Sequence, residues 1–519
     1  MMGKILALAP EEFVRALEKQ SSVWRGSGGF AGKRHRRDLR RRWIRLYKSK
    51  RGIQSLAQYS RREIGGLAAD IEVSPKSSVI ILLPDNRYLD EQSDKASPGS
   101  ENKITFPHTS ETDSRKQLRR LMHLAMTSRS QTTLDLINAS NTYRQALPAV
   151  ARVSRGDRLF LRGVYLEALG AVILPRLEQP MIDILEEQGV EVVPNSEILV
   201  RPPEIQELQT SPDFWHRRIL PNGGALPQAY QGNGISIGLL DTGIDVDHPE
   251  FSHRTGDHIV YRQFDLNGVE VPGASPRDFG SHGTHVASIC AGQNAGISPQ
   301  VHLSVAAVLT EQSENGALRG YFAQLLGGLN WLVNEAGPHG DGVQIVNASL
   351  GTRHLTREDI RSLYKAIGNA ADQGAVVVAA IGNNGNLGMG NHCFPAKLEH
   401  VVAVGAIDRD DRVAPFSDWG YSYGDAARQA PSKPNIVGPG VDIHSALAGG
   451  GYASMNGSSL SAPCISSALA LILEKYPELT GQPRRLTETL MEFTRCNQNW
   501  ANIAPRVGRG CIDLEGLLP

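Results

Sequence analysis

The chain has 519 residues, 54 Lys and Arg against 54 Asp and Glu, 40% hydrophobic residues and 5 Cys. Its length suggests about three domains of roughly 150 residues, and no apolar run reaches the ~20 residues that a membrane-spanning helix needs. Few cysteines, and the acidic Glu11 and Glu12 close to the start of the chain, argue against a disulfide-stapled secreted protein and favour a cytoplasmic one with reduced thiols.

The chain begins with a basic extension, residues 1–75. Residues 1–65 hold 17 Lys and Arg and 5 Asp and Glu, so a local charge of +12 is balanced by −12 in the remainder. The charge is densest in segment 33–50. Such a block can bind nucleic acid, anionic lipid or an acidic protein, but no nucleic-acid-binding motif accompanies it. The alternatives for 33–50 are therefore a solvated extension, an acidic partner or nucleic acid.

Residues 76–203 have the pattern of a small α/β domain. Apolar runs and turn residues predict, in chain order, a strand at 78–83, a helix near 118–126, strands at 158–161 and 163–175, a helix at 180–188 and a strand at 190–193. This β-α-β-β-α-β order predicts a ferredoxin-like domain. A predicted linker, 204–225, follows it.

Residues 226–519 change to alternating apolar strands and helical stretches. The predicted strands are at 235–240, 303–309, 345–348, 375–380 and 401–404. Because these strands are apolar on both faces, they predict a central parallel sheet with helices on both sides. Ligands bind such sheets beyond the carboxyl ends of the strands, so functional side chains are expected there.

Two candidate segments lie in the first half of this domain. Asp241-Thr242-Gly243 directly follows a strand, and alone it fits a structural cap or the signature of aspartic proteases as well as a catalytic carboxylate. His282 opens a helix, with His285 three residues later. The two histidines could bind a metal, but no Glu stands between them as in the zinc protease motif, and no third ligand is evident. No metal site is therefore expected.

Two further segments complete the set. Ser459 stands in Gly457-Ser458-Ser459, before an apolar helix whose N-terminus would present N–H groups and a positive dipole end. Asn383 follows a strand in an amide-rich segment that alone reads as a turn. Each segment is ambiguous by itself, and their combination is far more specific.

In the order Asp…His…Ser, these segments resemble the subtilisin-like serine proteases, or subtilases, over about 300 residues from roughly 210 onwards. Motifs that carry the resemblance include Asp241-Thr242-Gly243-Ile244-Asp245, His282-Gly283-Thr284-His285-Val286-Ala287, Asn347-Ala348-Ser349-Leu350-Gly351, Phe394-Pro395-Ala396 and Gly457-Ser458-Ser459-Leu460-Ser461-Ala462-Pro463. The family's usual Gly-Thr-Ser-Met-Ala is Gly-Ser-Ser-Leu-Ser here. Pro463 fixes the register and makes Ser458 or Ser461 an unexpected nucleophile.

The resemblance implies the role of each site residue. Ser459 would be the nucleophile and His282 the general base, while Asp241 would orient the imidazole and stabilise its charged form. The side-chain amide of Asn383 and the N–H of Ser459 would bind the oxyanion. The substrate backbone would pair with two edges, the first formed by Ser349, Leu350 and Gly351 and the second by Leu318, Arg319 and Gly320.

The resemblance also bears on the cofactor and the side chain before the scissile bond, P1. Compared with calcium-binding relatives, the stretch 292–301 is short, so no cofactor is expected, although Glu250 could be a ligand left from a calcium site. Segment 384–393 contains no acid that could bind a basic P1 side chain. A neutral or apolar P1 residue is therefore predicted.

Many subtilases carry an inhibitory propeptide of the architecture predicted for 76–203. The expected fold is thus an α/β subtilisin-like domain preceded by a ferredoxin-like propeptide domain that inhibits it, with self-cleavage in 204–225. The alternative is a permanent accessory domain. The expected function is that of an intracellular serine endopeptidase, made as a self-inhibited zymogen, that acts on peptides or proteins and could process one precursor. A catalytically silent binding protein and a protease tethered through 33–50 are the competing hypotheses.

Overall fold

The computed structural model describes residues 79–82, 164–166, 169, 171–174, 191–200, 205–206, 213–226, 229–254, 258–312, 317–353, 355, 357–423 and 432–517. Four predictions lie outside these residues: the basic extension 1–75, the strand at 158–161 and the helices near 118–126 and at 180–188. The chain divides into two compact units, and almost all described residues belong to the unit formed by 80–94, 164–173 and 191–519.

Four strands form the first sheet. They are β1 Val79–Leu82, β2 Val164–Leu166, β3 Ala171–Leu174 and β4 Glu191–Pro194, in the order β2-β3-β1-β4. The single strand predicted at 163–175 is instead the antiparallel pair β2 and β3, because the chain turns where Leu169 N–H donates to Leu166 O at 3.2 Å. The strand order suits a ferredoxin-like domain, whose helices remain a prediction.

The remaining elements follow in chain order. The strands are β5 Glu197–Val200, β6 Ile205–Gln206, β7 Ser236–Asp241, β8 Ile259–Gln263, β9 His302–Ala307, β10 Glu311–Gln312, β11 Leu318–Tyr321, β12 Ile345–Ala348, β13 Val376–Ala380, β14 Val401–Ile407, β15 Ile436–Pro439, β16 Ile443–Ala446, β17 Tyr452–Met455, β18 Thr494–Arg495 and β19 Cys511–Ile512. The helices are α1 Pro221–Gly224, α2 His282–Ala291, α3 Phe322–Asn334, α4 Arg357–Asp372, α5 Ser458–Lys475 and α6 Pro483–Leu490.

A nine-stranded sheet forms the centre of this unit. Its order is β18-β19-β15-β14-β13-β12-β7-β9-β8. All neighbouring pairs are parallel except β18 with β19. The predicted parallel α/β sheet is therefore confirmed, and the carboxyl ends of β7, β12 and β13 lie along one edge of it.

Successive residues of the central strands face two separate cores. Ile237 and Leu239 of β7 pack in a core with α2 and α5, whereas Leu240 packs in a core with α3 and α4. Because side chains alternate along a strand, an apolar strand of this kind buries both faces. Each fully buried leucine contributes about 1.5–3 kcal/mol to the free energy of unfolding. The helices on both faces of the sheet are thus confirmed.

The later part of the predicted linker 204–225 packs into this unit. Residues Trp215–Ile219 form a 3₁₀ helix, and Trp215, Ile219 and Leu220 are buried in the core that contains α2 and α5. These side chains anchor the segment to the sheet domain through apolar burial. Within the described ranges, no helix is long and apolar enough to cross a membrane.

Candidate active site

The sheet edge brings Asp241 and His282 into contact. Asp241 is the last residue of β7, and its Oδ1 lies 2.7 Å from Nδ1 of His282, the first residue of α2. Both side chains are buried. Burial by itself lowers the pKa of His282, but the charge and hydrogen bond of Asp241, with a further contribution from Asp278, raise it above the ordinary value. The pair therefore favours a charged imidazole.

A glycine allows α2 to approach the end of β7 this closely. A Cβ on Gly283 would lie 2.0 Å from the carbonyl oxygen of Gly243, so any side chain would push the helix away from the loop. The backbone N–H of Gly283 instead donates to Oγ1 of Thr242 at 2.8 Å. The Gly after His282 is thus a requirement of the close approach.

The hydroxyl of Ser459 lies in the first turn of α5, where free backbone N–H groups accumulate. Ser459 is 6% exposed. Its Oγ and the Nε2 of His282 are buried, and neither has a hydrogen-bond partner in the described part of the chain. The structure thus brings Asp241 and His282 into contact but contains no hydrogen bond between Ser459 and His282. In enzymes without substrate, catalytic hydrogen bonds are often long and tighten only in the substrate complex.

Asn383 is oriented by the residue that precedes Ser459. Its Oδ1 accepts hydrogen bonds from the backbone N–H and the hydroxyl of Ser458, both at 2.9 Å. The side chain is exposed, and Nδ2 donates to no residue among those described. Because the acceptor atom is occupied, the amide presents its N–H groups outward, as an oxyanion donor must.

The first predicted substrate edge lies directly beside the serine. Ser349 and Leu350 are buried, and a Cβ on Gly351 would lie 2.7 Å from Cβ of Cys393. The hydroxyl of Ser349 donates to the carbonyl oxygen of Ser459 at 2.6 Å. The side chain of Ser349 therefore holds the helix start, and only the backbone of this segment could pair with a substrate.

The second predicted edge is already paired with the chain itself. In the antiparallel pair of β11 with β5, Leu318 faces Val200 and Gly320 faces Ile198. A second segment, β6, pairs with β17, where Ile205 faces Met455, four residues before the serine. Two short strands close together in the chain, β5 and β6, thus pair with β11 and β17 respectively.

Sequence reasoning missed two residues of the site. Thr242 and Asp278 bind each other through a 2.6 Å hydrogen bond from Oγ1 to Oδ1, next to Asp241 and the start of α2. The spacing of Asp278, four residues before His282, was the available signal.

The two other residues considered as metal ligands, His285 and Glu250, both have hydrogen-bond partners within the protein. Nε2 of His285 lies 3.1 Å from the carbonyl oxygen of Ala453. The buried Glu250 carboxylate accepts hydrogen bonds from the backbone of Asn294 and Ala295, from the Asn294 side chain and from Tyr452. Burial alone would raise the pKa of Glu250, but these bonds lower it. No cluster of three metal-ligating side chains occurs among the residues the structure describes.

One acid contacts segment 384–393 from elsewhere in the chain. Asp418 is buried, and its Oδ2 accepts a hydrogen bond from the backbone N–H of Asn384 at 2.9 Å. Burial raises the pKa of Asp418 to about 6. The fold therefore supplies a carboxyl group that the local sequence lacks, and the neutral or apolar P1 residue stays a prediction.

The chain is similar to members of one known protein family. A model described as the subtilase family matches residues 232–504, which include Asp241, His282, Asn383 and Ser459. Subtilisin DY of Bacillus licheniformis is 31% identical over 296 residues, which make up 56% of this chain and 92% of the relative. Subtilisin amylosacchariticus of Bacillus subtilis subsp. amylosacchariticus is 31% identical over 261 residues, 49% of this chain. The chain spans only 59% of that relative's length.

A solved structure shares the fold. The epidermin leader peptide processing serine protease of Staphylococcus aureus is 20% identical, with a TM-score of 0.55, and the match covers 71% of this chain and 95% of the other. At this identity the likeness concerns the architecture alone.

Proposed function

The chain belongs to the subtilase family, whose model matches more than half of its residues, and on that premise we propose that it is a serine endopeptidase. The contact that carries the proposal is the buried 2.7 Å hydrogen bond between Asp241 and His282. The structure also places Ser459 in the first turn of α5, and within the described residues it leaves the amide N–H groups of Asn383 unoccupied because Oδ1 is the atom that binds Ser458. Together these are the parts that acyl transfer from a peptide requires.

The chemistry follows from these positions. Nε2 of His282 takes the proton of Ser459 Oγ as that oxygen attacks the scissile carbonyl, and Asp241 stabilises the imidazolium that forms. The developing oxyanion is bound by Nδ2 of Asn383 and the backbone N–H of Ser459. His282 then gives the proton to the leaving amine, and a water molecule repeats the sequence on the acyl-enzyme.

We also propose that the N-terminal region inhibits the enzyme. The pairing of β5 with β11 and of β6 with β17 supports this, because a substrate strand needs the edge that β5 occupies. A peptide substrate must therefore displace β5, and the zymogen is active only after cleavage or release of this region. A permanent accessory domain would use the same contacts without release.

Comparison of the wild-type chain with Ser459→Ala tests both proposals. We expect wild type to cleave a denatured protein such as casein and to shorten its own N-terminal region, while Ser459→Ala does neither. If both chains leave casein intact under all conditions tried, the endopeptidase is wrong and the silent binding protein is favoured. If only wild type cleaves casein but both stay full-length, the peptidase stands and self-processing is wrong.

A cleavage profile on a peptide library would identify the substrate class. A broad profile would indicate general proteolysis, and a narrow one would indicate the maturation of one precursor. We propose a cytoplasmic location, which agrees with the five free cysteines Cys290, Cys393, Cys464, Cys496 and Cys511. Cell fractionation with an antibody against the chain would test it.

A further inference from the structure

The carboxylate of Asp278 joins the two segments that carry Asp241 and His282. Its Oδ1 accepts hydrogen bonds from Thr242 Oγ1 at 2.6 Å and from Gly280 N–H at 2.9 Å. Its Oδ2 accepts from the backbone N–H of Thr284 at 2.7 Å and from the Thr284 hydroxyl at 2.6 Å. Four donors on one carboxylate hold it in a fixed position.

The hydroxyls of Thr242 and Thr284 link Asp278 to the backbone on both sides of the contact. Thr242 donates to Asp278 and accepts from Gly283 N–H at 2.8 Å, directly after His282. Thr284 donates to Asp278 and accepts from the backbone N–H of Asp245 at 2.9 Å. The loop after β7 and the first turn of α2 are therefore joined by two direct hydrogen bonds, and both hydroxyls that accept them donate to Asp278.

The start of α2 needs this carboxylate. Ser281, the residue at the N-cap position, has a φ of 61° and makes no side-chain capping bond. Asp278 supplies the bond instead, to the N–H of Thr284. A negative charge at this end of the helix is also favoured by the helix dipole. The orientation of His282, the first residue of the helix, thus depends on Asp278.

We propose that Asp278 is a positioning residue for the Asp241–His282 pair: it fixes the imidazole against Asp241 and adds a second negative charge that stabilises the imidazolium. The proposal rests on the proposed peptidase function. Within the described structure, Asp241 at the end of β7 and Asp278 in the loop before α2 favour the charged form of His282. His285 on the same helix has its pKa lowered to about 3 by burial, so it is uncharged near neutral pH.

Asp278→Asn keeps the shape of the side chain and removes its charge. We expect kcat to fall between about 10- and 100-fold, as for a catalytic group slightly out of place, with KM nearly unchanged. The acidic limb of the pH profile of kcat/KM should move to lower pH, because His282 loses one of the charges that raise its pKa. Asp265→Asn is the control, since Asp265 accepts backbone bonds from Asn267 and Val269 in a loop after β8. It should leave the profile unchanged.

Variants of Thr242 distinguish the effect of Asp278 on the position of His282 from the effect of its charge. Thr242→Val breaks the connection to Gly283 but keeps the Asp278 carboxylate, so kcat should fall without a shift of the acidic limb. Thr242→Ser keeps the hydroxyl and should retain most of the activity. This pair also keeps the proposal testable if Asp278→Asn does not fold.

Titration of the His282 imidazole by NMR, in chains carrying Ser459→Ala, tests Asp278 without an activity assay. The pKa of His282 should be lower with Asp278→Asn than without it. An unmoved titration together with kcat within about twofold of wild type would overturn the proposal. If wild type cleaves no peptide while the titration moves, the peptidase function is wrong and the coupling of Asp278 to His282 stands.

Discussion

The hydroxyl of Ser349 donates a hydrogen bond to the carbonyl oxygen of Ser459 at 2.6 Å, in place of a bond that the helix itself cannot make. In α5 this carbonyl would normally accept from the N–H four residues later. That residue is Pro463, which has no N–H. Asn347 supports Ser349 by donating to its hydroxyl at 2.9 Å, so the end of β12 holds the start of the serine helix.

Ser349→Ala should therefore leave the Ser459 carbonyl without a donor. We expect the free energy of unfolding to fall by about 1–3 kcal/mol and kcat to fall more than KM changes, because the serine is held less firmly. Urea unfolding and steady-state kinetics measure both. Ser466→Ala, at the far end of the same chain of hydrogen bonds, should cost stability and leave kcat nearly intact. Wild-type kinetics in Ser349→Ala would contradict this role.

The orientation of Asn383 predicts how two variants compare. Asn383→Leu and Asn383→Asp both remove the N–H donor, but Asp keeps an acceptor for Ser458. Both should lower kcat by about 10²–10³-fold with KM little changed, the magnitude known for this type of donor in subtilisin, a relative of this chain. If Asn383→Asp kept wild-type kcat, the residue would serve only to hold Ser458.

The pairing of β5 with β11 predicts a variant of higher activity. Ile198 is buried beside β11, and Ile198→Asp would place a charge in an apolar core and detach β5. Before any processing, this full-length chain should cleave a short peptide faster than wild type does. Ile198→Val should behave like wild type. Equal initial rates for wild type and Ile198→Asp, with the latter folded, would contradict inhibition by β5.

Buried histidines predict a loss of stability in acid. Nε2 of His216 lies 2.8 Å from the Ala295 carbonyl, and burial lowers the pKa of His216 to about 4. The unfolded chain binds this proton near pH 6.5. Stability is therefore complete above pH 6.5 and falls towards pH 4, by about 1.4 kcal/mol per pH unit for this group.

Urea unfolding of chains carrying Ser459→Ala, at several values between pH 7 and 4.5, measures this slope. Adding His216→Gln should make the slope shallower by the contribution of one histidine. Parallel slopes with and without His216 would mean that its pKa is not lowered in the folded state.

The sequence allowed the prediction of the sheet and of the residues at its edge. Apolar strands such as β7 and β13 mark a parallel sheet, and the polar residues after them, Asp241 and Asn383, can lie only at its carboxyl edge. In a parallel sheet, residues that directly follow different strands lie along the same edge, so a local sequence pattern predicts which of them are near each other.

Contacts between distant side chains were not predictable in this way. The bond from Ser349 to Ser459, the carboxylate of Asp418 near Asn384 and the partner strand of β5 depend on packing across the fold. No periodicity in the sequence encodes which edge a short strand such as Glu197–Val200 will choose. The hairpin of β2 and β3 was missed because two short apolar runs resemble one long strand.

Reaction with a fluorophosphonate, followed by mass spectrometry of the peptide that contains residues 457–461, tests the central claim most directly. It should be carried out on wild type, Ile198→Asp, His282→Ala and Ser459→Ala. We predict a single adduct on Ser459 in the Ile198→Asp chain, and none in the His282→Ala and Ser459→Ala chains. An adduct on Ser458 or Ser461, or no adduct in a chain that cleaves casein, would contradict the assignment of Ser459 as the nucleophile.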